Sequence, residues 1–324
     1  MTNRVAIIGA GLAGLSCAQT LRRAGVSVEI FEEERYVGGR VATTCLGSDR
    51  FDPGTQYLAA QSDDFRHYLT EIAGLGHADT WTPRQWKPGP GKTVREPWIV
   101  GTPGMSSIVR PMAEGMRVSL GRRVQSLERR EKGWHLWFAD ETSAGPFEAV
   151  AITVPAPAAL PLTERIERLS APMREIRMLP CWALMVRLEQ KKISEHDVFT
   201  DVSEVVRWVA RDNTKPGRDP RGEAIVIHAS SAWSLAAEQA DPEDVAEELW
   251  GEVGEFLNLP PVRPSRMTAF LWRDGIVGKA LGETHLYCPE TKVGVAGDWC
   301  LGSFAEHAFT SGQHLGHAIA GALA

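Results

Sequence analysis

The sequence predicts a mixed α/β fold: a discontinuous Rossmann-like dinucleotide-binding domain interrupted by an inserted α+β domain on an antiparallel sheet. Three observations predict it. A glycine-rich turn joins a short apolar strand to a helix near the N-terminus. The middle of the chain holds scattered strands, an acidic helix and polar loops in place of a regular β/α alternation. A strand, a glycine-containing loop and a long helix then return at the end. At 324 residues the chain exceeds the usual size of one hydrophobic core, which favours two domains.

Taken in order, Arg4–Ile8 reads as a buried strand and 12–24 as a helix with apolar residues at three- and four-residue intervals. Gly25 stands where a helix-ending glycine belongs, and Ser27–Phe31 is a second strand, completing a βαβ unit. Strands at 124–128 and 134–138 flank a charged turn and suggest a meander. A buried strand at 149–154 is closed by Pro155 and Pro157. The middle section then offers a helix at 163–174, strands at 182–188 and 224–229, and a helix over Pro242–Phe256. Polar loops at 87–92 and 212–222 are expected to be surface-exposed. A strand at 292–296 and the helix Ala305–Leu323 end the chain. The expected division is 1–75, 100–160 and 265–324 for the cofactor domain, with 76–99 and 161–264 for the substrate domain.

Hydrophobic content of 43% and charged content of 23% are those of a globular protein. A net charge of -6 supplies no basic footprint for nucleic acid. Five cysteines are few, scattered and outside any CxxC pair, so neither a disulfide framework nor a metal site is expected. The apolar start at 5–15 is broken by glycines, and no stretch approaches the roughly 20 apolar residues of a membrane span. A cytoplasmic monomer or homodimer is the expectation.

The turn reads Gly9-Ala10-Gly11-Leu12-Ala13-Gly14. Gly9 permits the tight turn, Gly11 lets backbone approach a pyrophosphate, and Gly14 lets helix and strand pack closely. The helix N-terminus then presents free N–H groups to phosphate. Glu32 ends the second strand, followed by Glu33, where a carboxylate accepts ribose hydroxyls. Gly38-Gly39-Arg40 points to backbone passing close to the cofactor and a guanidinium near its phosphates, which favours FAD over NAD. Near the end, Gly297-Asp298 precedes the last helix, with Glu306, His307 and Ala308 in its first turn. Asp298 suits a ribityl or phosphate-side hydroxyl, and the helix dipole would favour an anionic reduced flavin.

These motifs resemble the flavin amine oxidase superfamily, and within it the renalase-like group. Phe51-Asp52-Pro53-Gly54-Thr55-Gln56-Tyr57, Pro180-Cys181-Trp182-Ala183-Leu184-Met185, and the 208–218 stretch with Asn213, Lys215 and Arg218 carry the likeness. His228-Ala229-Ser230, Trp233-Ser234 and Gly297-Asp298-Trp299-Cys300-Leu301-Gly302 continue it through nearly the whole chain. The stretch 269–274 keeps Trp272-Arg273 without the basic residues expected before it, and His307 replaces a small residue. The resemblance implies the p-hydroxybenzoate hydroxylase/amine oxidase type of FAD domain, with non-covalent FAD and Gln56, Tyr57 and Val124 among the cofactor contacts.

The resemblance also implies oxidation of misreduced 2- and 6-dihydro-NAD(P) to NAD(P)+, with O2 reduced to hydrogen peroxide. A dihydropyridine that gives its hydride to flavin N5 becomes aromatic, so the protein mainly positions the ring, and no catalytic side chain is assigned. Each substrate candidate has two readings. Trp208 stacks on the substrate or packs the core. Asn213, Lys215 and Arg218 receive phosphates or face water. His228 is catalytic or a satisfied core histidine, and Trp182 and Trp272 pack or face the flavin. Three rivals remain: an amine oxidase or desaturase, a reductase using ordinary NAD(P)H, and a non-catalytic flavin-binding redox sensor. The presence of one GxGxxG motif alone disfavours the reductase.

Overall fold

A computed structural model describes residues 4–47, 49–87, 93–189, 193–261 and 263–324. The polar loop expected at 87–92 lies outside the described residues from position 88 onward.

Val5, Ala6, Ile7 and Ile8 are all buried, as a strand covered on both faces requires. Among the described residues their strand is central in a six-stranded sheet, ordered Leu286–Cys288, Val293–Val295, Ala149–Ile152, Arg4–Ile8, Ser27–Phe31, Arg117–Ser119. All neighbours run parallel except the first two. The late strand Val293–Val295 thus enters the N-terminal sheet, which makes the cofactor unit discontinuous. Helices Leu12–Arg23 and Ala305–Leu323 pack closely because their contact is built from small residues. A Cβ on Gly312 would come 2.0 Å from the Ala13 carbonyl oxygen, and one on Gly316 would come 2.7 Å from Thr20 Cβ. The Ser16 hydroxyl donates to the Phe309 carbonyl across the same contact (2.8 Å).

The meander Val124–Arg130, Gly133–Phe138, Ser143–Phe147 buries Trp134, Leu136, Phe138 and Phe147 against Phe31 and Val150. A second sheet is seven-stranded among the described residues. Its order is Arg266–Lys279, Arg177–Leu188, Glu223–Ala229, Val206–Arg211, Val198–Thr200, Gln85–Trp86, Thr93–Val94. Neighbours are antiparallel except Val198–Thr200 with Gln85–Trp86. Helix Pro242–Phe256 covers one face with Val245, Leu249, Trp250 and Val253, and its Glu243, Asp244, Glu247 and Glu248 face solvent.

Three sequence expectations shift. Arg266–Lys279, grouped with the cofactor domain from sequence, is the edge strand of the seven-stranded sheet, in register from Arg187↔Arg266 to Arg177↔Lys279. The helix expected at 163–174 is the shorter Glu167–Met173, preceded by a separate, unexpected helix Ala156–Thr163. Pro157 does not close the region. It sits in the first turn of a helix, where its missing N–H costs nothing.

Candidate active site

Gly9 has φ +103°, a conformation side chains resist, and a Cβ on Gly14 would stand 2.0 Å from the Gly9 carbonyl oxygen. In the Cβ direction of Gly11, by contrast, no atom lies within 4 Å. Gly11 is also the cap of Leu12–Arg23, and no side chain bonds that helix end. Open space facing unmet N–H donors fits a pyrophosphate, with the amides following Gly11 (Leu12, Ala13) as its donors. Glu32 accepts the amides of Ala10 (2.7 Å) and Glu34 (3.0 Å), and each oxygen keeps a lone pair for a ribose hydroxyl. Burial raises the Glu32 carboxyl above its ordinary value, the two amides partly offsetting this. Glu33 is exposed, 3.6 Å from Arg123. Val124 follows shortly after Arg122, whose amide donates to the Glu32 carbonyl (2.7 Å).

The Gly38 amide donates to the Ala10 carbonyl (2.9 Å), and the Cβ direction of Gly39 is 3.5 Å from Gly11 Cα, so the Gly-Gly-Arg turn lies on the glycine fingerprint. Arg40 forks onto Asp298 (2.7 and 2.6 Å) and reaches the carbonyls of Asp274 and Gly275. The two residues assigned separately to phosphate and flavin-side hydroxyl are therefore one unit. The Gly297 amide donates to Ser311 Oγ (2.9 Å), which ties this loop to the last helix. That helix starts after Phe304 without a side-chain cap, a second bare helix end. His307 lies beneath Gly302 and against the Phe304 ring, and Ala308 is half-buried.

Glu306 departs from expectation. Its carboxylate accepts the amides of Gln61 (2.7 Å) and Ser62 (2.6 Å) at the start of helix Asp63–Gly74 instead of being left free for the cofactor. Burial by itself would raise this carboxyl, but the hydrogen bonds from 61–62 hold it below its ordinary value. Cys300 is fully buried, and burial pushes its thiol up to about 12, so it stays protonated at neutral pH.

Strand alternation sorts the substrate candidates. One face of the seven-stranded sheet places Met185, Ala224 and Val226 against Phe51 of the N-terminal segment. Side chains at every second position share that face. The cross-strand row Phe270, Ala183, His228, Trp208 and the neighbouring pair Cys181 and Trp272 therefore lie on it as well. The polar ends agree: His228 Nε2–H (2.8 Å) and Trp272 Nε1–H (3.0 Å) both donate to the Pro53 carbonyl. Trp208 stacks toward Tyr57 (5.8 Å), whose ring lies flat on Trp98 (3.9 Å). Trp182 falls on the opposite face, buried under helix Pro242–Phe256 with Nε1–H on the Ala237 carbonyl, so it is a packing residue. Burial pushes His228 down to about 4, which leaves a neutral ring with Nδ1 as its acceptor.

The loop read as exposed is buried at Asp212, Lys215 and Arg218, while Arg221 stays in solvent paired with Asp219. The side chains of Asp52, Asp212 and Lys215 are 0% exposed and that of Arg218 is 2%. Lys215 binds Asp212 (2.6 Å), Asp52 (3.2 Å) and Gln56 Oε1 (3.3 Å), and Arg218 binds Asp52. Asp52 also accepts Thr43 Oγ1 and the Met105 amide. Burial works to raise the Asp52 carboxyl, but Lys215 and Arg218 hold it below its ordinary value, whereas burial keeps that of Asp212 raised. Lys215 and Arg218 thus join segment 52–56 to the substrate sheet instead of waiting for a phosphate. Asn213 Oδ1 accepts the Ala224 amide (3.2 Å). A buried cation needs a partner, and Asp52, some 160 positions upstream, gave no local signal of the pairing.

Two residues escaped sequence reasoning. Phe270, 44% exposed, sits edge-on to Trp272 (4.8 Å), and period-two alternation from Trp272 could have found it. Trp98 lies in a short strand with no distinguishing motif.

A dinucleotide cradle tied by Arg40 and Asp298 to the loop before a second bare helix end is the build of a flavoprotein oxidoreductase, and FAD is its cofactor. The chain belongs to the family of flavin containing amine oxidoreductases, which matches residues 74–314, while 7–72 match an NAD(P)-binding Rossmann-like domain. It is 27% identical to renalase of Mus musculus over 173 residues, 49% of each chain. It is 46% identical to 1-hydroxycarotenoid 3,4-desaturase of Flavobacterium sp. (strain P99-3) over 48 residues, 15% of this chain and 10% of the desaturase. The matched stretches thus span half or less of these relatives. Cyclohexylamine oxidase of Brevibacterium oxydans IH-35A shares the fold at a TM-score of 0.74 over 100% of both chains, with 15% identity. A candidate protoporphyrinogen oxidase of Exiguobacterium sp. 255-15 does so at 0.79 over 99% of both, with 10% identity. No helix among the described residues is long and apolar enough to cross a membrane.

Proposed function

We propose that the protein oxidises misreduced 2- and 6-dihydro forms of NAD(P) to NAD(P)+, with O2 as the electron acceptor and hydrogen peroxide as its product. Bound FAD would supply the two-electron centre that accepts the hydride, held by the Gly9–Gly14 turn, Glu32, Arg40 and Asp298. The observation that carries this reading is the sheet face toward segment 51–57, made of Trp208, Trp272, Phe270 and the neutral His228, none of them a carboxylate. Flat aromatic walls hold a planar ring by stacking. A dihydropyridine becomes aromatic as its hydride leaves, so no base has to take a proton from it, and the work left to the protein is orientation and exclusion of water. His228, fixed by Pro53, offers Nδ1 as an acceptor for a carboxamide N–H.

An amine or apolar substrate is the second reading. It is favoured by the neutralisation of Lys215 and Arg218, which removes the expected phosphate receivers. Anaerobic mixing separates the two. Rapid bleaching of the flavin by 6-dihydro-NAD(P), with none by cyclohexylamine, putrescine or ordinary NADPH, supports the first. Bleaching by an amine and by no dihydropyridine would replace it with the second.

A further inference from the structure

The polar atoms of the candidate substrate face are spent on the protein itself, with two exceptions. Trp272 Nε1–H (3.0 Å) and His228 Nε2–H (2.8 Å) fill both lone pairs of the Pro53 carbonyl. The Cys181 thiol turns to the carbonyls of Trp182 and Ala229 (3.7 and 3.8 Å). What remains is His228 Nδ1 and the enclosed Trp208 Nε1–H, and neither meets a partner among the described residues. A carbonyl only accepts, so its bond to Nε2 keeps a proton there, and the neutral ring leaves Nδ1 as an acceptor. His228 and Trp208 are direct partners in the ladder, which sets their Cβ atoms about 5 Å apart. Pro53 is itself seated on the cofactor segment. A Cβ on Gly54 would stand 2.1 Å from the Arg40 carbonyl oxygen, and the Thr55 amide donates to that same oxygen (2.9 Å). One short run of backbone thus places the imidazole relative to the Gly-Gly-Arg turn. An uncommitted acceptor and an uncommitted donor stand side by side, next to the stacked rings of Tyr57 and Trp98.

We propose that His228 and Trp208 are the specificity-determining pair of this site and recognise a primary carboxamide on the planar ring of the substrate, His228 Nδ1 accepting its N–H and Trp208 Nε1–H donating to its oxygen. A primary carboxamide carries that donor and that acceptor on one carbon. A methyl ketone or a carboxylate in its place has no N–H for Nδ1, and a protonated amine has no acceptor for the indole. The analogue is rejected because it leaves a polar group of the site unpaired. The proposal deepens the dihydro-NAD(P) reading and rests on it for the hydride that the substrate gives up, but not for the carboxamide contact.

The test uses the FAD-loaded protein and its His228→Leu, His228→Gln and Trp208→Phe variants. The probes are NAD+, 3-acetylpyridine adenine dinucleotide and nicotinic acid adenine dinucleotide, which differ only in the group on the pyridine ring. Their Kd values are read from the perturbation of flavin absorbance, without turnover. Wild type should bind NAD+ about tenfold more tightly than either analogue, the size of one hydrogen bond whose loss leaves a group unpaired. In His228→Leu the preference for NAD+ over the acetyl analogue should vanish, and His228→Gln, which keeps a donor and an acceptor, should retain part of it. Loss of the Pro53 contact alone would weaken all three ligands together and leave the ratio unchanged. Trp208→Phe keeps an aromatic ring without its N–H, so it should weaken NAD+ and the acetyl analogue equally and preserve their ratio. No preference in wild type, a preference intact in His228→Leu, or no binding of any probe overturns the proposal, and binding unchanged in Trp208→Phe overturns the donor. If His228→Leu does not fold, the ratio in wild type still decides. If no dihydropyridine bleaches the flavin, the oxidation reading fails by itself, and a carboxamide preference lost in His228→Leu still supports the pair.

Discussion

Arg40 and Asp298, 258 positions apart, are joined by two hydrogen bonds of 2.7 and 2.6 Å, and this pair connects the glycine fingerprint to the loop before the last helix. The carboxylate is nearly buried and the guanidinium is about a quarter exposed, so neither charge is well served by water if the other is removed.

Asp298→Ala should therefore weaken FAD binding by about ten- to a hundredfold, following the roughly 1.5–3 kcal/mol of a charge-assisted contact. The Kd for FAD from fluorescence titration of apoprotein measures it. An unchanged Kd would remove Asp298 from the cofactor site.

Two glycines of one motif should fail differently. Gly14→Ala drives a methyl into the Gly9 carbonyl and should lower the Tm and the yield of folded apoprotein, overpacking of this kind costing about 1–3 kcal/mol or more. Gly11→Ala meets open space at an ordinary φ of -74°, so the apoprotein should keep its Tm while its affinity for FAD falls. Equal loss of apoprotein stability in both would contradict the cradle.

His228 sets a pH dependence. Its folded value, about 4, lies below its ordinary 6.5, so the unfolded chain binds the proton more readily. Stability from the neutral ring is complete above about pH 6.5 and is lost as pH falls from there toward 4. Chemical denaturation across that window should show His228→Gln with a flatter profile than wild type.

The tryptophans divide by face. Trp182→Ala should cost about 3–5 kcal/mol of stability, as for a buried indole. Trp208→Ala should act mainly on the rate and Kd of flavin reduction by substrate. Stopped-flow bleaching beside thermal unfolding distinguishes the two, and the reverse pattern would exchange their roles.

Much of this was open to reading along the chain. Strand Arg4–Ile8, the Gly9–Gly14 turn and Glu32 are neighbours in sequence, so the phosphate cradle is a local structure whose geometry follows from local φ/ψ and helix ends. Helices Pro242–Phe256 and Ala305–Leu323 were equally legible, since apolar periodicity is a short-range signal. The two helices at 156–173 were less so, because a proline that closes a strand also opens a helix.

What only the tertiary structure decided was the partner of each charge and the face of each aromatic. Lys215 and Arg218 look solvated in a polar Pro/Gly loop, yet burial against Asp52 and Asp212 turns them into a joint between segments. Glu306 looks like a cofactor ligand, yet it caps a helix that begins at Asp63. Trp182 and Trp272 are equivalent in composition, and only the registers of Arg177–Leu188 and Arg266–Lys279 place one under a helix and the other facing Pro53. The physical reason is common to all three: burial and pairing energies belong to groups far apart in the chain, and a linear pattern records only what each residue is next to.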